Sequence, residues 1–324
     1  MRKIPRFISK QIGRLMPEKM LFETPAPVFL PFYHTVSNKK LPHILNYPYR
    51  SSAEFEKELD YFLTWFKPVS LDYLVKNPNP KEKVFHLSFD DGLKECAEII
   101  APVLIRKGVP ATFFVNSGFA NNQKLFHRYK ASLILNGIIE TPNEKTLQFL
   151  EKHALTKKNI LQTEFSKSAV LDELATLLGI DFSEFLKTES PYLTTTQISA
   201  LKQQGFTIGA HSENHPEFWK ISEEKQFNEI ANSMKWVVKN FAPEIKTFAF
   251  PFTDDGVSLN LLQKLKSENI CDLTFGTAGL KYDQCKTHFQ RYPAEQNGNF
   301  RLNLKAEWAY FKLRKKVGKA TVKH

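Results

Sequence analysis

Two adjacent carboxylates, Asp90 and Asp91, followed by Gly92, and two imidazoles four positions apart, His211 and His215, are the residues of this 324-residue chain whose types and spacing could do chemistry. Side by side, two ionised carboxylates repel, so a site that holds them supplies a cation, a shared proton or divided roles. The run His211-Ser212-Glu213-Asn214-His215-Pro216 lets both rings chelate one metal if the connecting turn coils, with Zn–N distances of about 2.0 to 2.1 Å. Each feature alone has a bland counterpart. Asp-Asp-Gly is more often a solvated strand-to-loop turn, and a His pair beside Asn and Pro is often a surface turn. In combination, two His and one carboxylate make a three-ligand site with a position left open, which is the catalytic arrangement. A divalent cation held there would lower the pKa of its water to about 7 and polarise an ester or amide carbonyl. Asp90, not needed as a ligand, could then take the water's proton.

The elements that must position these residues are readable from apolar periodicity. Of residues 84–89 only His86 and Ser88 are not apolar, which suits an interior strand ending at the aspartates. A helix over about 93–107, stopped by Gly108, and a strand over 111–115 complete a parallel crossover unit. A first strand over 28–33 ends at His34, and a helix over 52–65 follows with Phe55, Leu59 and Phe62 on one stripe. Later, a helix over 195–204 precedes a strand over 206–210 that exits at His211. A long helix over 222–241 leads to a strand over 247–250 ending in Pro251-Phe252. A helix over 258–268 and strands over 273–275 and 289–292 finish the pattern. Between 118 and 193 helical spacing dominates (Tyr129, Leu133, Ile134, Ile138; Leu171, Leu174, Leu177, Leu178), which reads as a helical insertion or cap. The alternation predicts an α/β barrel, whose strands converge at their carboxyl ends on one face and so gather Asp91 with the His pair.

Charge is placed unevenly. The chain carries +11 overall. Residues 1–20 hold six Lys or Arg against one Glu, and residues 301–324 hold eight against one, so the two ends account for +12 and the body is nearly neutral. That argues against nucleic acid as a partner, because a binding groove needs its charge on the body. The 1–24 segment places Ile4, Phe7, Ile8, Ile12 and Leu15 at helical spacing among Lys3, Arg6, Lys10 and Arg14, a basic amphipathic helix with Pro5 near its first turn, weakened by Gly13 and ended by Pro17. Three placements stay open for it: docked on the barrel, free, or lying on an anionic membrane surface, where each basic residue is worth roughly 1 kcal/mol. The 301–324 tail, with Trp308, Tyr310 and Phe311 before its basic cluster, offers the same choice. No uninterrupted apolar run of signal type forms. Cys96, Cys271 and Cys285 lack metal-type spacing and fit free thiols in a reducing compartment. The expectation is a cytoplasmic protein, with a membrane-peripheral placement open to it through the basic ends.

Three runs in order, SFDDG, HSENHP and FAFPF, resemble the first three motifs of the polysaccharide deacetylases, the NodB-homology proteins of carbohydrate esterase family 4. The resemblance spans about 28–292, with the 118–193 segment longer than that family's core. It implies a distorted (β/α) barrel over 25–300 with a helical insertion, a divalent metal, usually zinc, and hydrolysis of acetyl groups on a glycan. Carried over by position, it makes Asp90 the base, Asp91, His211 and His215 the metal ligands, and Pro251 and Phe252 part of the groove where a backbone N–H would stabilise the oxyanion. Two departures stand out. The arginine that precedes the groove motif is replaced by the run Phe248-Ala249-Phe250, and the late Leu-x-His that supplies the acid is not found. A branch of the family resembles this chain at Arg291-Tyr292-Pro293 and at Phe32-Tyr33-His34-Thr35-Val36. Arg291 thereby becomes a candidate partner of Asp90, with a plain salt bridge equally open to it, and His34 a candidate groove residue, although a half-buried structural histidine is the more ordinary reading there; His288 is a candidate acid. The expected function is removal of N- or O-acetyl groups from a polysaccharide or glycolipid precursor. A catalytically silent glycan-binding barrel is the alternative, favoured by the departures and opposed by the retained Asp90, Asp91, His211 and His215. A phosphoesterase would need ligands for a second cation, and no such set is evident.

Overall fold

Short apolar runs bounded by turns form the strands of this chain, whose residues 6–23, 25–77, 80–141 and 144–324 are described by a computed structural model. Among these residues eight parallel strands make one sheet: β1 (Pro31–Tyr33), β2 (Leu87–Phe89), β3 (Ala111–Val115), β4 (Thr207–Ala210), β5 (Thr247–Ala249), β6 (Leu273–Gly276), β7 (His288–Gln290) and β8 (Tyr292–Pro293). The order is β7-β6-β5-β4-β3-β2-β1-β8. Its two edges, β7 and β8, are consecutive in the chain with only Arg291 between them. The last strand therefore pairs with β6 before Arg291 and with β1 after it, and this change of neighbour nearly closes the barrel.

Alternation along the strands separates two cores. Leu30, Phe114, Ala249 and Phe275 fill the barrel, while Phe85, Leu87, Phe89 and Phe113 face the surrounding helices. Helix Ser52–Trp65 starts with a Ser51/Glu54 capping box and buries Phe55, Leu59 and Phe62 on one stripe. The expected 84–89 strand is divided. Val84–Phe85 pairs with Lys67–Pro68 and Leu87–Phe89 with the barrel, because His86 turns aside to bond the Val69 carbonyl and the Thr112 hydroxyl. The expected 93–107 helix is a π-helical turn, Cys96–Ile100, running into Ala101–Lys107, which Gly108 ends at φ +63°. Between β3 and β4 the described residues are all helix and loop. Helices His127–Glu140 and Ser168–Leu177 share a separate small core of Ile134, Ile138, Leu171 and Leu174.

The two basic ends meet. Helix Arg6–Leu15 packs across helix Phe300–Lys316, and Gly13 is the crossing point, since a Cβ there would lie 2.9 Å from the Ala306 backbone nitrogen. Gly13 thus weakens the helix alone but permits its docking. Arg2, Lys3, Ile4 and Pro5 of the expected amphipathic segment lie outside the described residues. Helix Phe300–Lys316 is anchored by Leu304, Trp308 and Phe311 in the main core. No helix among the described residues is long and apolar enough to cross a membrane.

Candidate active site

Asp90 and Asp91 leave β2, and His211 leaves β4, at the carboxyl end of the sheet. Asp91 adopts φ +70°, Ser212 +67° and His215 +54°, so both turns coil tightly. The Ser212 hydroxyl accepts from the His215 N–H at 3.0 Å and helps fix the turn that returns His215 toward His211. Asp90, Asp91, His211, His215 and Arg291 are each 4% exposed or less.

Asp91 Oδ1 lies 3.2 Å from His215 Nε2 and 3.5 Å from His211 Nε2, and it finds no hydrogen-bond donor in good geometry. An acceptor buried in this way is costly unless something else satisfies it. His211 Nδ1 donates to the Ala249 carbonyl at 2.8 Å, which fixes the tautomer and leaves Nε2 free as a ligand. Burial drives the His211 pKa down to about 4, so its ring is neutral at neutral pH, as metal binding requires. Burial opposes ionisation of Asp91, but the neighbouring imidazoles, His215 foremost, outweigh it and hold its carboxyl well below the usual range. Two imidazole nitrogens and one carboxylate oxygen within 4.8 Å of one another fit a divalent cation with one position open.

Asp90 turns its carboxylate to Arg291. Nη1 donates to Oδ1 at 2.7 Å and Nη2 to Oδ2 at 2.8 Å, while Nη1 also reaches the Ser88 hydroxyl at 3.1 Å. The guanidinium lies 4.3 Å from the Phe32 ring centre inside the barrel. Burial raises the Asp90 pKa and Arg291 more than reverses this, so the carboxylate stays ionised. Its Oδ2 is 3.9 Å from His211 Nε2, beside the three-ligand cluster.

The remaining candidates divide. Phe252, at φ +56°, sets its ring edge-on to His215 with centroids 4.6 Å apart, which brings the Pro251-Phe252 turn against the His pair. His34 stands at the end of β1, its Nδ1 2.7 Å from Glu295 Oε2 and its ring stacked on Tyr47. Partial burial alone would lower its pKa, but the Glu295 contact raises it to about 9. His288 is not brought to the cluster. Side chains alternate along the closing strand, so Arg291 points into the barrel and His288 out of it, onto Thr274 and Asp254.

One contributor escaped the sequence reading. Tyr129, placed there on an apolar stripe of the insertion, donates its hydroxyl to Asp91 Oδ2 at 3.0 Å and shares a 2.6 Å hydrogen bond with Tyr47. Phe126, from the same segment, lies with its ring centre 4.4 Å from that of His215. An apolar stripe that contains a phenol was the available signal, because a buried tyrosine hydroxyl needs a partner.

Residues 77–270 match the family model described as Polysaccharide deacetylase. No curated protein sequence matches the chain. Among solved structures, a Streptococcus pyogenes deacetylase, PplD, in complex with acetate aligns with TM-score 0.56 at 15% identity over 88% of this chain and 99% of its own. IcaB from Ammonifex degensii aligns with TM-score 0.56 at 16% identity over 88% and 97%. A de-N-acetylase from Aggregatibacter actinomycetemcomitans aligns with TM-score 0.51 at 13% identity over 86% and 99%. At these identities the structures establish the shared barrel fold.

Proposed function

This chain belongs to the polysaccharide deacetylase family, and from that premise we propose a metal-dependent hydrolase that removes N- or O-acetyl groups from a polysaccharide or glycolipid precursor, with Asp90 as its base. The observation that carries the reading is Asp91 Oδ1, buried without a donor, with two imidazole nitrogens converging on it beside an ionised Asp90.

Asp91, His211 and His215 would hold a divalent cation, zinc by the resemblance, which supplies Lewis-acid polarisation of the acetyl carbonyl and of the attacking water. The chain's own groups do the rest. Asp90 accepts the water's proton at Oδ2, the oxygen on the His211 side, while Arg291 aims the carboxylate and keeps it ionised. Tyr129 orients the outer oxygen of Asp91. Phe126 and Phe252 wall His215 and exclude water from it. His34, charged at neutral pH, supplies a polar contact for substrate at the rim. Acetate release from acetylated oligosaccharides, measured with metal content in wild type and Asp90→Asn, tests the reading. It fails if no divalent metal binds at Asp91, His211 and His215, or if the Asp90 change leaves release intact. Metal binding with no acetate release from any acetylated glycan would favour the silent glycan-binding alternative.

We further propose that the protein is cytoplasmic and contacts anionic membrane through its joined ends. Helix Arg6–Leu15 exposes Phe7 at 68% and Leu15 at 84%, with Lys10 and Arg14 also exposed, and its partner helix leaves Lys315 and Lys316 exposed. Apolar side chains among basic ones are the composition an anionic surface attracts. Three unpaired, buried cysteines support a reducing compartment. Co-sedimentation with phosphatidylserine vesicles, lost on Leu15→Ser with Arg14→Glu, is the expected result. Equal sedimentation of that variant overturns it.

A further inference from the structure

A second group of metal-type side chains stands on the outside of the barrel, away from Asp91. Asp254 comes from the loop after β5, Asp283 from a two-residue strand Tyr282–Asp283, His288 from the start of β7, and His324 from the segment whose Thr321–Val322 pairs in parallel with Tyr282–Asp283. One donor atom from each of the four lies within 4.8 Å of all the others. We propose that these four residues form a second, structural site for a divalent cation of the zinc class, which pins the 320–324 segment against the strand that carries Arg291.

Each of the four side chains is held with one donor atom facing the others. His324 Nδ1 donates to the Val257 carbonyl at 3.0 Å, and His288 Nδ1 bonds the Thr274 hydroxyl at 2.8 Å, so both rings present Nε2 to the same place. Asp254 Oδ1 accepts from the Thr277 N–H and Asp283 Oδ1 from the Cys285 N–H, so each carboxylate presents Oδ2. His288 Nε2 is 3.1 Å from Asp254 Oδ2, His324 Nε2 3.1 Å from Asp283 Oδ2, and His324 Nε2 4.0 Å from Asp254 Oδ2. Four ligands at about 2.0 to 2.2 Å from a tetrahedral zinc stand roughly 3.3 Å apart, so the two 3.1 Å pairs already have near that spacing and the 4.0 Å pair must draw in. All four inward atoms thus have the outer anchor that metal ligands carry, and Gln290 Nε2 adds a further hydrogen bond to both inward oxygens, at 2.6 and 2.9 Å.

Space and access agree with this. A Cβ at residue 276 would lie 2.5 Å from Asp254 Oδ1, so Gly276 is what lets the aspartate sit against the sheet. A cleft of about 530 Å³ lined in part by Asp254, Lys281, Arg314 and His324 gives the site a route to solvent. Asp254 and Asp283 bring two carboxylates to one place, and a divalent cation would balance their charge.

Zinc binding to the metal-stripped full chain, counted by equilibrium dialysis and metal analysis, tests the proposal. Wild type is expected to bind two equivalents and His324→Ala one. Asp91→Ala with His215→Ala is expected to keep one equivalent, lost when His324→Ala is added. A cobalt-loaded form of the Asp91/His215 variant should show the visible absorption of tetrahedral cobalt. The proposal is overturned if His324→Ala binds as much zinc as wild type, or if the Asp91/His215 variant binds none. Because each set of substitutions reports on one cluster, failure here leaves the deacetylase reading standing, and failure there leaves this one.

Discussion

Arg291 and Asp90, 201 positions apart in the chain, meet in a two-point ion pair inside the barrel, with contacts of 2.7 and 2.8 Å. The planar fork of arginine matches both carboxylate oxygens at once, which lysine cannot do. Arg291→Leu leaves an uncompensated buried charge, so a loss of about 3–5 kcal/mol in stability is expected together with loss of activity. Arg291→Lys is expected to fold, with kcat lowered more than KM changes. Thermal unfolding and acetate release check both; a stable and active Arg291→Leu would contradict the pairing's role.

Asp90→Asn keeps the size of the side chain and removes its capacity as a base. A fall of about 10²- to 10⁴-fold in kcat is expected, with zinc content unchanged. Loss of zinc in this variant would place Asp90 among the ligands instead.

Tyr129→Phe removes only the hydroxyl that orients Asp91. Roughly 10- to 100-fold weaker metal binding or lower activity is expected, with stability little altered. Competition against a chromophoric chelator measures it, and unchanged affinity together with unchanged activity would reduce Tyr129 to a packing residue.

The His34–Glu295 pair predicts a pH dependence with a definite sign. The folded-state pKa of His34, about 9, stands above its ordinary 6.5, so the pair's contribution is full below about pH 6.5 and is lost as the pH rises through 9. In chelator-treated protein, the stability gap between wild type and His34→Gln should shrink between pH 6.5 and 9. A constant gap across that window would refute the charged pairing.

Gly13 is expected to be the position of helix Arg6–Leu15 least tolerant of a side chain. Gly13→Val should undock that helix and speed proteolysis of the N-terminal segment, while the barrel's own unfolding stays cooperative. Limited proteolysis at unchanged rate would argue that the crossing can widen.

The barrel was legible from the alternation of apolar runs and helical spacings, because parallel strands buried on both faces leave that pattern. Less visible was where strands divide. The 84–89 and 289–292 runs each look continuous, and only partners distant in sequence decide that His86 and Arg291 mark a change of neighbour. The cluster of Asp90, Asp91, His211 and His215 could be read because Asp90, Asp91 and His211 stand at strand ends, which converge, and His215 lies one turn beyond His211. Tyr129 could not be assigned to it, since nothing in a helical stripe tells which phenol crosses to a carboxylate. His288 misled for the opposite reason, because it lies three residues from Arg291 but on the other side of the strand. Gly13 looked only like a weak point until the facing helix was known.

The change of neighbour at Arg291 ties two events into one. Until the final strand swings from β6 to β1, Asp90 has no counter-charge, and a desolvated carboxylate without one takes up a proton. On the proposed reading, completion of the barrel and charging of the base are therefore the same step. On that reading a chain without this closing pair, even with Asp91, His211 and His215 gathered, would be hydrolytically mute, and the fold would act as its own safety catch.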